Sequence, residues 1–209
     1  MRFRRFPLGA LWTNGYLFWD EGGEAFFIDP GGDAVEVLDF LKEHNLSLKA
    51  VLLTHGHLDH IAGVRDLQPL VGDAVYVGRG DARLLLSPSV ELQRALRMKC
   101  EPVTSFREVE EGMTLRVGDF EIQVMETPGH TEGGVCYLIK QGGETVLASG
   151  DTLFAQSVGR TDLDGGDQDV LDASLRRLAA LPDALRVLPG HGPETAIGEE
   201  RKHNPFWPV

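Results

Sequence analysis

Thr54-His55-Gly56-His57-Leu58-Asp59-His60 is the stretch whose reading decides the fold. It holds three of the chain's seven histidines. It follows Lys49 to Leu53, a short apolar run of the kind that forms a strand buried on both faces. In extended backbone, residues two apart point the same way, so His55 and His57 can reach one metal ion together. Asp59 and His60 follow as the chain turns, and can face a second point close by. Imidazole nitrogen suits zinc, iron, nickel and copper, and carboxylate oxygen also suits harder ions. A lone His-x-His could be a polar loop. Four donor groups at the end of one apolar strand point to a metal centre.

Three later segments repeat the arrangement: Thr127-Pro128-Gly129-His130, Ser149-Gly150-Asp151 and Pro189-Gly190-His191-Gly192. Each puts one potential ligand just beyond an expected strand, beside glycine. Any one alone reads as a turn. Four strand ends that all finish in metal donors read as one site, because functional groups gather on loops held by a rigid scaffold.

The surrounding pattern is of mixed type. Residues 10 to 20 and 24 to 28 read as strands around Glu21-Gly22-Gly23, and Asp33 as the cap of a helix carrying Val35, Val37, Leu38 and Leu41. Further strands are expected at Ala74 to Val77, around Gly118-Asp119, around Gly142-Gly143 and at Leu185 to Leu188. Helices are expected at Ala82 to Leu86, behind Asp167 and over Thr195 to Lys202. Residues 87 to 111 show no clear period. Trp12, Phe18, Trp19, Phe26 and Phe27 are expected in the core, and Cys136 as a small buried hydrophobe. Gly31-Gly32 and Gly142-Gly143 read as turns, since neither pair sits in a nucleotide-binding pattern. Strands outnumber helices, which predicts an α/β fold with packed sheets and outer helices.

Composition narrows the function. The 209 residues carry a formal net charge of −12, which argues against a nucleic-acid partner. Two cysteines, far apart, indicate no disulfide framework, and a reducing, cytoplasmic setting is expected. The arginines near the N-terminus are followed by Pro7 and Gly9, and no cleavage pattern follows, so no signal peptide is expected. No stretch is long enough to span a bilayer, so no membrane partner is expected.

The sequence resembles the metallo-β-lactamase superfamily, in its glyoxalase II-like (hydroxyacylglutathione hydrolase) branch. Thr-His-x-His-x-Asp-His carries the resemblance to the superfamily. Gly150-Asp151-Thr152-Leu153-Phe154, Gly159-Arg160-Thr161-Asp162, Pro189-Gly190-His191-Gly192 and His203-Asn204-Pro205-Phe206 carry it to the branch. It implies the metallo-β-lactamase fold, a four-layer αββα sandwich of two mixed sheets, as a single domain over residues 1–209. It also implies two divalent metal ions, zinc first, with iron or manganese also compatible. His55, His57 and His130 would bind one, Asp59, His60 and His191 the other, and Asp151 both. A metal-bridging hydroxide, oriented by Asp59, would attack a small thiol ester, such as glutathione-derived S-lactoylglutathione. His44 and His203 fall outside this set, as solvent-facing or structural residues.

The sequence departs from the branch in two places. It reads to Asn204-Pro205-Phe206-Trp207-Pro208-Val209, so the C-terminal helical substrate domain and its cations are not expected, and it resembles the shorter bacterial type. Asp162 stands where the branch often has an aromatic residue. Arg160 matches a substrate-binding position, and a plain surface ion pair is the alternative for it. Among other activities, a mononuclear iron persulfide dioxygenase shares the histidine motif and the Gly-Arg-Thr-Asp stretch, and would use residues at His55, His130 and Asp151. A non-catalytic binding protein on this scaffold would be expected to have lost ligands, and none is missing here.

Overall fold

Alternation along the strands produces the layers. The computed structural model describes residues 1–207; Pro208 and Val209, the last residues of the terminal segment quoted above, lie outside the described residues. One sheet has the order β1 (Arg2–Leu8), β2 (Thr13–Trp19), β3 (Glu24–Ile28), β4 (Ser47–Leu52), β5 (Val75–Gly78) and β6 (Arg107–Val109). Its first three strands are antiparallel and the last four run parallel, so the sheet is mixed. Tyr16, Phe18, Phe26, Ile28, Ala50 and Leu52 face inward, while Leu17, Ala25, Phe27 and Val51 face the other side. Both sides are buried, which is why Lys49 to Leu53 reads as continuously apolar.

The second sheet has the order β14 (Thr195–Ala196), β13 (Arg186–Pro189), β10 (Glu144–Gly150), β9 (Val135–Gln141), β8 (Phe120–Glu126) and β7 (Thr114–Val117). It is antiparallel except for the β10–β13 pair. Ile122, Val124, Tyr137, Ile139, Val146 and Leu188 meet the inward side chains of the first sheet. Phe18 and Phe26 stack with centroids 4.9 Å apart, and Phe120 from the second sheet meets Phe26 edge-on at 5.2 Å. Truncating such a ring costs about 3–5 kcal/mol. Helices α1 (Val35–Glu43) and α3 (Val64–Val71) cover the first sheet through Val37, Leu41, Val64 and Leu67. Helices α6 (Gln168–Ala179) and α7 (Ile197–His203) cover the second through Leu171, Leu175, Leu178 and Ile197. The result is the four-layer αββα sandwich of the metallo-β-lactamase fold.

Several expectations need correction. Arg2–Leu8, read only as a non-cleaved N-terminus, forms the edge strand β1, paired along its length with β2. The strand expected from residue 10 starts at Thr13, because Gly9 to Trp12 makes the turn. Trp12 is therefore 74% exposed at φ 56 and not in the core, and Trp19 is half-buried against Phe40. Asp33 does not cap its helix by the usual bond. It accepts from the Val35 amide, two residues on, and Ala34 is the cap. Helices α2 (Leu58–Ile61) and α3 are broken by Gly63 and contain Pro69, so no sustained period announced them. Within residues 87 to 111 lie the short helix α5 (Val90–Leu96), capped by Ser89, and β6. The last helix starts at Ile197, since Thr195 and Ala196 pair with β13. Helix α4 (Ala82–Leu86) and the Gly142-Gly143 turn, with φ of 55 and 87, stand as expected.

Candidate metal centre

The distant strand ends meet. β4 delivers Thr54 to His57, and His57 is still extended (φ −68, ψ 149) as α2 begins. Asp59 and His60 follow on the first turn of α2, with the centroid of the His60 ring 4.0 Å from that of His55. The loops after β8, β10 and β13 bring His130, Asp151 and His191. Donor atoms of His55, His57 and His130 lie within 4.8 Å of one another. The same limit holds for Asp59, His60 and His191, and for His55, His60 and Asp151. Thus all seven residues singled out as metal donors come together. Asp151 touches both histidine groups: Oδ1 is 3.3 Å from His60 Nε2, and Oδ2 is 3.6 Å from both His130 Nε2 and His191 Nε2.

Outer partners set the tautomers. The Thr54 hydroxyl donates to Asp29 Oδ2 at 2.6 Å, so its oxygen is free to accept from His55 Nδ1 at 3.1 Å. His60 Nδ1 donates to Asp29 Oδ2 at 2.9 Å, and His130 Nδ1 to the Arg160 carbonyl at 2.7 Å. Each of these rings therefore presents Nε2 to the site. His57 Nδ1 lies 2.9 Å from His130 Nε2, so these two ring nitrogens face the same point. His55 Nε2, His60 Nε2 and Asp151 Oδ1 are buried without hydrogen-bond partners among the described residues. Orphaned buried donors of this kind fit a bound cation, which would satisfy them all.

Charge tells the same story. Burial, with His60, His57 and His130 around it, holds His55 well below its ordinary pKa. Burial and His130 lower His57 to about 4. Burial works against ionising Asp59, but His60 and His191 outweigh it and hold the carboxyl below its usual range. Asp151 is depressed in the same way, burial being outweighed by His60, His191 and His130. Asp59 and Asp151 are thus held ionised and His55 and His57 neutral, the forms that bind metal.

Sequence reasoning missed several supporting residues. Asp29, at φ 52 after β3, is a further strand end, overlooked because the following Pro30-Gly31-Gly32 reads as a plain turn. Asp81 accepts from the Gly56 amide (2.8 Å), the Thr131 hydroxyl (2.8 Å) and the Gly133 amide (2.7 Å), tying the first histidine loop to the His130 loop. Asn14 donates to the carbonyls of Pro189 and Gly192, both at 2.9 Å, and so fixes the loop of His191. Nothing in one sequence marks an asparagine in a strand for that task.

The centre opens into a cleft of about 280 Å³ lined by Leu11, Leu58, Leu92, Leu96, Leu163 and Arg160 beside the donors. Arg160 lies on its rim, its guanidinium paired with Asp162 at 2.6 and 2.7 Å. His44 caps α1 with its ring over Phe40, and His203 is exposed near Glu199. Cys100 and Cys136 are buried and free, away from the donors.

Comparison with known proteins agrees with this geometry. The sequence profile of the "Metallo-beta-lactamase superfamily" matches residues 8–191. Hydroxyacylglutathione hydrolase GloC of Haemophilus influenzae is 33% identical over 211 residues, covering 99% of this chain and 98% of that protein. BLEG-1 B3 metallo-beta-lactamase is 39% identical, with a TM-score of 0.87 over 99% of each chain. TTHA1623, solved in a di-iron-bound form, is 37% identical, with a TM-score of 0.85 over 97% of this chain and 99% of that one. With the profile match covering most of its length and the donor set drawn together in the fold, this chain belongs to the metallo-β-lactamase superfamily.

Proposed function

We propose that this chain is a binuclear metal-dependent hydrolase that cleaves a thioester such as S-lactoylglutathione. The observation that carries the reading is the single carboxylate of Asp151, whose Oδ1 lies by His60 and whose Oδ2 lies by both His130 and His191, so that it touches both histidine groups. His55, His57 and His130 would hold one divalent cation, and Asp59, His60 and His191 the other, with Asp151 shared. Zinc is the metal proposed; the di-iron form of TTHA1623 supports iron as an alternative. Bound divalent cations lower the pKa of water from about 16 to about 7 and polarise a carbonyl.

The chain's own groups do the rest. Asp59 faces the cleft and accepts from Thr13 at 3.3 Å, and in this role it also accepts a hydrogen bond from the attacking water and orients it. Asp29, Thr54 and the Arg160 carbonyl keep the imidazoles in the tautomers that aim Nε2 inward. A substrate seated over the leucines of the cleft would exclude bulk water, which strengthens every charge interaction within. The name of GloC supports the thioester class. Buried free cysteines support a cytoplasmic setting, and no helix among the described residues is long and apolar enough to cross a membrane.

Metal content, then turnover of lactoylglutathione, tests the reading. Two equivalents of metal with thioester hydrolysis are expected. One iron, with oxygen uptake on glutathione persulfide and no hydrolysis, would establish the dioxygenase instead. Asp151→Ala is expected to lose metal and turnover together, and full activity without metal overturns the proposal.

A further inference from the structure

The cleft that receives the substrate is apolar. Leu11 and Leu92 are 43% and 39% exposed, so their side chains face solvent at the rim. Helix α5 buries none of its residues fully, yet Leu92 and Leu96, four apart on one face, both line the cleft. A surface helix that presents two leucines to a cavity contributes most when a ligand covers them. Arg160 is the only lysine or arginine lining the cleft among the described residues. One edge of its guanidinium is taken by a bidentate pair: Nε lies 2.6 Å from Asp162 Oδ1, and Nη2 2.7 Å from Asp162 Oδ2. A glutathione conjugate brings two carboxylates. Beyond the metal centre, those carboxylates would meet leucines and an arginine already paired with Asp162.

We infer that the cleft selects an uncharged thioester with an aliphatic acyl chain, and that Asp162 enforces this by occupying Arg160. The inference rests on the hydrolase reading and names its substrate class. Asp162 is a specificity residue that acts through Arg160 and does not touch the reacting atoms. A cleft of this size accepts a short chain, since small-molecule sites run from about 300 Å³ upward.

The test uses the full-length, metal-loaded protein. Its probes are N-acetylcysteamine thioesters of acetyl, butyryl, hexanoyl and octanoyl groups, compared with S-lactoylglutathione. Binding of the matching non-hydrolysable thioethers is measured by calorimetry. Both kcat/KM and affinity are expected to rise with chain length, by up to about fourfold per buried methylene. Leu92→Gln, on an exposed helix face, is expected to flatten that rise. Asp162→Asn is expected to shift the neutral-to-anionic ratio toward lactoylglutathione by about twofold to fivefold. Flat chain-length series in turnover and binding, or a preference of wild type for lactoylglutathione, overturns the inference. Absent turnover with chain-length-dependent binding overturns the hydrolase reading alone and upholds the cleft's selectivity.

Discussion

His60 Nδ1 lies 2.9 Å from Asp29 Oδ2, with both side chains buried, and this contact fixes which nitrogen His60 turns toward the metal centre. The same carboxylate accepts from the Thr54 amide at 2.8 Å and the Thr54 hydroxyl at 2.6 Å. Asp29 therefore orients His60 directly and His55 through Thr54. Asp29→Asn is expected to weaken metal binding about tenfold to hundredfold, the range for such supporting partners. Metal titration followed by competition with a chelator reads this. Unchanged affinity in a folded variant would mean that the histidines hold their positions without Asp29.

Gly190 sits against the centre. A Cβ added there would fall on Asp151 Oδ1 and come within 2.7 Å of His60 Cε1. The clash is with two proposed ligands and not with the hydrophobic core. Gly190→Ala is thus expected to displace Asp151 and lower metal affinity by at least about tenfold, with a far smaller change in thermal stability of the metal-free protein. Wild-type metal content and activity in this variant would show that Asp151 can move aside freely.

The two histidine groups differ in how protons compete with metal. Burial disfavours a charged His60, but the carboxylates of Asp151, Asp29 and Asp59 outweigh it and raise its pKa well above the ordinary value. His191 is raised too, burial being outweighed by its hydrogen bond to Asp59 and the charge of Asp151. Both therefore hold a second ring proton to higher pH than an ordinary histidine does, and a bound cation must displace it. His55 and His57 are shifted down, and are uncharged at neutral pH. Lowering the pH from about 8 to about 6 is expected to weaken the His60–His191 site, by up to about tenfold per unit for each proton displaced, and more steeply than the site of His55 and His57. Calorimetry in buffers of different ionisation enthalpy counts the protons; identical pH dependence at both sites would contradict the assignment.

Metal removal should also lower stability. A ligand present at about a hundred times its Kd stabilises the folded state by about 2.7 kcal/mol. For a chain of this length, one such site corresponds to roughly 5–10 °C in Tm. Scanning calorimetry with and without chelator measures the difference. An unchanged Tm would mean that no cation is held by the folded chain.

Much of this protein is legible one residue at a time. Period-two alternation marks the strands from Phe120 to Ala148, and the glycine pairs mark their turns, because a hairpin is a local event. The metal donors are legible for another reason. Histidines and aspartates placed repeatedly just past apolar strands have no better use than a shared site. Elements whose formation depends on a distant partner were harder to read. Arg2–Leu8 alternates weakly and is a strand because β2 lies beside it. Leu92 and Leu96 look like ordinary helix residues until α5 is laid over the metal centre.

By itself, then, the sequence determined the residue types that bind metal and the strand–loop rhythm that carries them, since both follow from local chemistry and backbone geometry. Only the tertiary structure decided that Asp151 reaches both histidine groups, that Asp29 and Asn14 brace the site, and that Asp162 engages Arg160. The first two relationships join residues far apart in the chain, and packing of the two sheets sets those distances. The third depends on a side-chain orientation that spacing alone leaves open.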